Sequence, residues 1–199
     1  MKLASIGLTG EVGPWAALGF VPDGSGRIRL ANGALEFGWD VPGLSVEPGD
    51  GEQGPTSPVD GLVVAIDRST GGMVQRNGAV ELDHIVVMTD SIARTSEAIH
   101  AGLGLEQRRV RETPDVRQAF HRFVDQGTTR GCIVELVEDE RAQVPTIWGV
   151  VVIVADLDAL ASGASGLVGS PRPAVQPGRR IATVRRKAGL TTAVAFMDR

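Results

Sequence analysis

The second half of the chain alternates short apolar runs with turn-forming residues. Residues 82–89 are rich in β-branched side chains and bounded by polar positions, which predicts a largely buried strand. Asp90 and Ser91 follow directly, and their side-chain oxygens can cap the first N–H groups of a helix. In that helix, apolar residues recur at helical spacing up to Gly102 and Gly104, which suit its end. Three more strand-like runs follow at 107–112, 118–124 and 132–137, which gives the order β-α-β-β-β.

The same order of elements recurs after a short linker. Residues 147–154 form a second apolar strand, Asp156 lies at a second capped helix start, and 181–186 and 191–197 are further strand-like runs. Superimposing the two units places Ser91 on Asp156, His84 on Gly149 and Glu135 on Ala195. An internal repeat of this size indicates one supersecondary unit stacked on its copy.

Three stretches of this repeat resemble a known superfamily: LDHIVVMTDS and CIVELVE at the two ends of the first copy, and IWGVVVIVADLDAL at the start of the second. They are similar to the vicinal oxygen chelate superfamily, which includes glyoxalases, fosfomycin and bleomycin resistance proteins, and extradiol dioxygenases. The resemblance covers residues 81–199. It implies an α+β fold with modules 81–139 and 146–199 forming a curved mixed sheet around a cleft.

The N-terminal third predicts a shorter unit of the same kind. Residues 27–31 and 34–39 flank Asn32-Gly33, a dipeptide that favours a type I′ hairpin turn. With a strand at 1–8, a brief helix after Pro14 and a strand at 61–67, residues 1–75 read as a βαβββ-like unit. Residues 41–59 are rich in Gly and Pro and acidic, which predicts a mobile surface loop. A flexible joint at 69–79 would lead into the central unit.

Composition narrows the class of protein. The chain has 199 residues and a formal net charge of −4, which argues against a general nucleic-acid binder. Cys132 is the only cysteine, so no intramolecular disulfide can form, and the chain shows neither a signal-peptide pattern nor an apolar run of membrane-spanning length. A cytoplasmic protein is the expectation, with a small molecule as its partner and no membrane. A homodimer that uses the extra N-terminal unit is an open alternative.

The candidate chemistry begins with His84 and Glu135. The superfamily resemblance gives both a metal-ligand role, and imidazole and carboxylate suit Zn²⁺, Fe²⁺, Mn²⁺ or Ni²⁺. The two ligand positions of the second module fall on Gly149 and Ala195, whose side chains cannot coordinate. A metal-free acid–base couple or a hydrogen-bonded core pair are therefore alternative interpretations of His84 and Glu135. His121 could complete the site only if it, and not Phe120, faces inward.

A second group of candidates is suited to binding a ligand. The segment after Arg172 is basic, and strand alternation in 179–186 leaves neither face apolar, so at least one cation, with Arg180 as the candidate, should point into the cleft. Gln118, Phe120 and Arg122 share one face of their strand and would form the opposite wall. The competing interpretation is a solvated outer strand.

Three functions follow from these patterns. The first is an enzyme that isomerises, cleaves or oxygenates a small oxygenated or anionic metabolite, with His84 and Glu135 at its centre. The second is a protein that sequesters a drug or metabolite without a metal. The third is a structural module whose N-terminal unit completes a dimer.

Overall fold

Two mixed β-sheets make up most of the molecule in the computed structural model, which describes residues 1–51, 53–68, 72–73, 75–127, 129–164 and 166–199. The larger sheet has eight strands in the order β11-β12-β13-β10-β6-β9-β8-β7. Its strands are β6 (Ala79–Thr89), β7 (Arg109–Glu112), β8 (Arg117–Arg122), β9 (Ile133–Glu138), β10 (Thr146–Val154), β11 (Arg172–Pro173), β12 (Arg180–Thr183) and β13 (Ala193–Met197).

The two predicted modules form the two halves of this sheet. In each half the first and last strands are parallel neighbours, β6 with β9 and β10 with β13. The two halves join where β6 and β10 run antiparallel, so the two modules of this sheet pair within one chain. Glu135 lies opposite Val86, two residues beyond His84, and Ala195 lies opposite Val151, two residues beyond Gly149. The register therefore agrees with the superposition made from the sequence.

Helices cover one face of the large sheet. Helix α2 (Ile92–Leu103) begins where the Ser91 side chain accepts a hydrogen bond from the Arg94 N–H, and ends at Gly104 with a φ of 65°. Helix α3 (Leu157–Gly163) has the same kind of start, because the Asp156 side chain accepts from the Ala159 N–H. The predicted helix starts are confirmed. Among the described helices none is long and apolar enough to cross a membrane.

The smaller sheet comes from the N-terminal third, with the strand order β2-β3-β1-β4-β5. Its elements are β1 (Lys2–Leu8), α1 (Gly13–Ala16), β2 (Ile28–Leu30), β3 (Gly33–Phe37), β4 (Gly43–Glu47) and β5 (Val63–Ile66). The predicted strand, helix, hairpin and last strand are therefore present as β1, α1, β2 with β3, and β5, and β4 is an additional strand between β3 and β5. Both sheets contribute to a single hydrophobic core, and the rings of Phe20 and Phe196 stack across it with centroids 5.9 Å apart.

Two details of the N-terminal third differ from the predictions. The hairpin is present, but Leu30 pairs with Gly33, so its loop is Ala31-Asn32 and Asn32 does not have the positive φ of a type I′ turn. The mobile loop predicted over 41–59 is wrong for β4, whose Leu44 and Val46 are buried. Pairing on both edges and burial of its alternating apolar residues outweigh the glycine-rich composition. The joint predicted at 69–79 falls partly outside the described residues, at 69–71 and 74.

Candidate active site on the open face of the large sheet

An irregularity in β6 brings two adjacent polar side chains together. His84 pairs with Val151 and Leu82 with Val152, so Asp83 is an extra residue in the strand. Such a bulge interrupts the alternation of side chains between the two faces of a sheet. As a result, the Asp83 Oδ2 atom lies 2.7 Å from the His84 Nδ1 atom.

These side chains lie on the face of the large sheet that the helices leave uncovered, here called the open face. His121 on β8 contacts Ser96 of α2 and therefore faces the helices. Phe120 precedes it, lies opposite Glu135 of β9 and faces the other way. The Glu135 Oε2 atom is 3.4 Å from the His84 Nε2 atom, so His84 shares the open face.

The contacts extend from His84 into a chain of polar groups across five elements. At one end, the Arg179 guanidinium donates to Asp83 Oδ1 at 2.9 Å. At the other, the Gln118 amide donates to Glu135 Oε1, and the Arg111 guanidinium donates to Gln118 Oε1 at 3.3 Å. The chain links the turn before β12 with β6, β9, β8 and β7. Each member is held by a neighbour, which fixes the orientation of the imidazole.

The pKa values of the two carboxyl groups beside His84 shift in opposite directions, because their neighbours oppose burial to different extents. The side chains of Asp83 and Glu135 are 12% and 14% exposed. Burial alone would raise the pKa of Asp83, but hydrogen bonds and opposite charges from His84 and Arg179 outweigh it and lower that pKa below 3.8. Burial raises the pKa of Glu135 above 4.5, because the charge of His84 and the amide of Gln118 only partly oppose it. Asp83 therefore stays ionised, whereas Glu135 holds a proton more readily.

This arrangement assigns different roles to the two imidazole nitrogens. The Asp83 carboxylate accepts a hydrogen bond from Nδ1–H, which leaves the lone pair of Nε2 facing Glu135 when the ring is neutral. A base next to a carboxyl group with a raised pKa can take and return a proton. The His84–Glu135 pair is therefore suited to acid–base chemistry.

A cleft of about 660 Å³ opens beside this pair. Phe120 and Arg122 form one wall, and Ile133, two residues from Glu135 along β9, forms part of the floor. The other lining residues are Arg108, Arg109, Arg111, His121, Val175, Gln176 and Pro177. Among its lining residues four are arginines and none is acidic, so the charge of the cleft favours anionic ligands.

The structure brings together most of the side chains predicted for the site. His84 and Glu135 are in contact, Gln118 binds Glu135, and Phe120 and Arg122 line the adjoining cleft. Arg180 lies elsewhere: its guanidinium pairs with Asp158 at 2.9 Å and with Asp198 at 2.8 Å. Asp158 belongs to α3, so Arg180 faces the helices.

His121 is likewise committed to the helix-covered face. It is fully buried, its Nε2 atom lies 2.7 Å from the Ser96 hydroxyl oxygen, and its Nδ1 atom lies 2.8 Å from the Leu105 carbonyl oxygen. Both ring nitrogens therefore have partners there. His121 cannot join His84 and Glu135 as a ligand.

Several functional candidates were missed by sequence reasoning. Asp83 looked like a strand-edge polar residue, because alternation places it opposite His84, and only the bulge turns both to one face. Arg179 takes the inward position that was predicted for Arg180. The three arginines at 108, 109 and 111 were a visible signal, since a cluster of cations on an edge strand indicates an anion site.

The donor set does not complete a metal centre. His84 and Glu135 supply two ligands, whereas catalytic zinc sites generally use about three from the protein. Gly149 and Ala195 occupy the corresponding positions of the second module and have no donor atom. Within the described part of the chain, no group of three or more His, Cys, Asp or Glu side chains could hold a metal ion.

Comparison with known proteins places the large sheet in a known fold. No protein-family model and no curated protein matches the chain. Among solved structures, it is similar to a Streptomyces coelicolor methylmalonyl-CoA epimerase in complex with 2-nitronate-propionyl-CoA, with 21% identity and a TM-score of 0.50 over 60% of this chain and 97% of that one. Mycobacterium tuberculosis methylmalonyl-CoA epimerase shows 16% identity and a TM-score of 0.49 over 61% and 89%. The Streptomyces epimerase belongs to the vicinal oxygen chelate superfamily, so the predicted fold is confirmed.

Proposed function

We propose that the chain binds an anionic, oxygenated small molecule in the open-face cleft and that the His84–Glu135 pair transfers a proton on it. The observation that supports this proposal is the position of a buried acid–base pair beside a cleft lined by four arginines. The reaction class is isomerisation through proton removal next to a carbonyl group. Both requirements, an anion site and a proton-transfer pair, are met by neighbouring strands of one sheet.

Each group has a distinct part in the proposed reaction. Arg108 and Arg109 bind a phosphate or carboxylate of the ligand, because guanidinium groups form paired hydrogen bonds with such anions. The His84 Nε2 atom takes the proton from carbon, and the electron pair of the broken C–H bond moves to the carbonyl oxygen. Glu135 in its protonated form donates a hydrogen bond to that oxygen. Return of a proton to the opposite face of that carbon, or to a neighbouring carbon, completes the isomerisation without net loss of atoms or charge, whereas return to the original face only restores the substrate.

Asp83 acts through His84. Its carboxylate holds the Nδ1 proton, which directs the Nε2 lone pair towards the open face and stabilises the imidazolium formed during the transfer. Arg179 in turn holds Asp83. Asp83 and Arg179 are thus positioning residues, while His84 and Glu135 contact the reacting atoms.

Methylmalonyl-CoA is a suitable first probe, because it combines phosphates with an acidic C–H bond next to a thioester carbonyl. We expect deuterium from D₂O to enter that carbon in the presence of the wild-type protein. His84→Asn and Glu135→Gln should abolish incorporation and retain binding, whereas Arg109→Gln should weaken binding. Arg141→Gln is the matched control, since Arg141 is exposed and its ion-pair partner among the described residues is Asp139. Incorporation that survives in both His84→Asn and Glu135→Gln would refute the assignment.

A second candidate function is sequestration of the ligand without turnover. The observation that favours it is the absence of a donor at Gly149 and Ala195, the positions where the resemblance implies metal ligands. Binding of the probe with no deuterium incorporation, equal in wild type and His84→Asn, would select this function. Metal content tests the remaining alternative, which is a metal-dependent enzyme. We expect protein purified without chelator to retain far less than one transition-metal ion per chain. Stoichiometric metal that is lost in both the His84 and Glu135 variants would contradict this expectation.

A further inference from the structure

A second cavity, of about 450 Å³, adjoins the cleft on the open face. It shares the lining residues Arg122 and Ile133 with the cleft. The cavity and the cleft are therefore two parts of one groove that meet at these two residues. Its other charged lining residues are Glu81, Asp83, Arg130, Arg179 and Arg199. Because Asp83 is among them, this cavity reaches the acid–base chain from the side opposite the cleft.

The charges in this cavity do not balance. Asp83 pairs with Arg179 at 2.9 Å, and Glu81 lies 3.4 Å from Arg199. These contacts account for both acidic residues of the lining. Two arginines of the lining are left without an acidic partner among the cavity's lining residues, and two such guanidinium groups are matched to a doubly negative group such as a phosphate.

The two remaining cations are Arg122 and Arg130. Arg122 lies 3.7 Å from Asp125, which is not one of the cavity's lining residues, and Arg130 has no acidic partner among the described residues. Both side chains are exposed to solvent, so they are free to meet a ligand.

The backbone at Arg130 is fixed from both sides. The Arg130 carbonyl oxygen accepts a hydrogen bond from the buried Asn32 amide at 3.0 Å, and the next N–H, that of Gly131, donates to Asp125 at 2.8 Å. A Cβ atom at Gly131 would lie 1.9 Å from the Phe123 carbonyl oxygen, so the chain passes there in close backbone contact. The N-terminal unit thereby positions a cation of the large sheet.

We infer that this cavity is a second anion subsite, and that the ligand carries two separate phosphate-sized anionic groups. One group binds at the Arg108 and Arg109 end of the groove, and the other binds between Arg122 and Arg130. The part of the ligand between them crosses the open face beside His84. The inference rests on the proposed function and adds the class of ligand: a molecule with two anionic ends.

Calorimetric titration with inorganic pyrophosphate at low ionic strength tests the two subsites without knowledge of the ligand, because low salt preserves interactions between exposed charges. We expect two binding events per chain. Arg130→Gln should weaken one of them at least about tenfold, and Arg109→Gln should weaken the other by a similar factor. Arg141→Gln removes the same charge outside the groove and should leave both events intact. The Arg130 side chain packs into no core, so this variant should retain the wild-type unfolding midpoint.

Three results would overturn the second subsite. One is a single binding event that Arg109→Gln removes and Arg130→Gln leaves unchanged, which would keep the cleft as the only anion site and leave the proposed function standing. Another is equal weakening by Arg130→Gln and Arg141→Gln, which would indicate a general effect of charge. The third is no pyrophosphate binding at all. The proposed function is then judged separately, by deuterium incorporation into methylmalonyl-CoA and its dependence on His84.

Discussion

Substitution of Asn32 should reveal how strongly the N-terminal unit holds the large sheet. Asn32 is only 1% exposed. Its side-chain amide donates to the carbonyl oxygens of Leu82 at 2.8 Å and Arg130 at 3.0 Å, and its Oδ1 atom accepts from the Leu82 N–H at 2.8 Å. The pairing of β6 with β9 begins only at His84, so the amide takes the place of a partner strand at Leu82.

The expected loss of stability in an Asn32 variant follows from these three hydrogen bonds. Each contributes about 1 kcal/mol net, and a buried group left without a partner costs about 1–3 kcal/mol. Asn32→Ala would leave an N–H and two carbonyl oxygens unpaired, so the free energy of unfolding should fall by at least about 3 kcal/mol. Asn32→Asp should lower the free energy of unfolding further, because it keeps the acceptor for the Leu82 N–H but places a negative charge against both carbonyl oxygens.

Urea unfolding followed by tryptophan fluorescence measures this loss. With an m value of about 2 kcal/mol/M, 3 kcal/mol corresponds to a midpoint lower by about 1.5 M at unchanged slope. Asn77→Ala is the matched control: its amide donates to the Leu18 carbonyl oxygen at 3.0 Å and its Oδ1 atom accepts from the Ala79 N–H at 3.0 Å. Both bonds are only part-buried, so water can replace them and we expect a loss of about 1–2 kcal/mol. If Asn32→Ala destabilises no more than Asn77→Ala, the side-chain clamp does not join the two sheets as argued.

Three further predictions concern single residues. Gly131→Ala should destabilise the protein by about 1–3 kcal/mol in urea unfolding, because its Cβ would overlap a backbone oxygen, whereas Gly163→Ala, with nothing within 4 Å, should be neutral or stabilising. Burial lowers the pKa of His121 below its ordinary 6.5, more than its hydrogen bond to Leu105 raises it, so the stability gained by keeping it neutral is complete above pH 6.5 and lost as the pH falls below that value. Unfolding between pH 7.5 and 5.5 should show this loss in wild type but not in His121→Gln; equal slopes would contradict it. Asp83→Asn should slow deuterium incorporation into methylmalonyl-CoA and shift its pH profile, and an unchanged profile would remove Asp83 from the mechanism.

The sequence was sufficient for the elements whose signals are local. The strand predicted at 82–89 and the helix after Ser91 agree with β6 and α2, because apolar periodicity and a side-chain cap act within a few residues. The repeat was also visible, since both modules keep the same order of strand, capped helix and strands. The agreement extends to the contact between His84 and Glu135, which required only that the first and last strands of a module be neighbours.

Features that depend on contacts between distant parts of the chain could not be predicted from local sequence patterns. The bulge that turns Asp83 beside His84 arises from the register between β6 and β10. The inward position of Arg179 in place of Arg180 depends on where β12 begins and on the acidic residues of α3 that bind Arg180. The strand β4 lies in a Gly- and Pro-rich segment, and only its pairing with β1 and β5 reveals it.

The small sheet repeats the four central strands of the large one in order, direction and register. The strands β3-β1-β4-β5 correspond to β9-β6-β10-β13, with parallel outer pairs and an antiparallel inner pair. Glu36 lies opposite Gly7, two residues beyond Ser5, as Glu135 lies opposite Val86, two beyond His84. By the same register Gly43 corresponds to Gly149 and Ala65 to Ala195. Three of the four site positions therefore carry the same residue type in both sheets.

The corresponding carboxylates, Glu36 and Glu135, nevertheless have different surroundings in the two sheets. A Cβ atom at Gly7 or Gly43 would lie within 2.7 Å of the Trp39 ring, so the indole rests on these two glycines and covers the face that corresponds to the open face. Glu36 binds Arg27 at 3.0 Å and accepts a hydrogen bond from the indole N–H at 3.3 Å. With Ser5 in the histidine position, this face has no imidazole among the described residues, and the Trp39 ring covers its glycines. The small sheet therefore contributes structure, through Asn32, and the proposed chemistry is assigned to the large sheet.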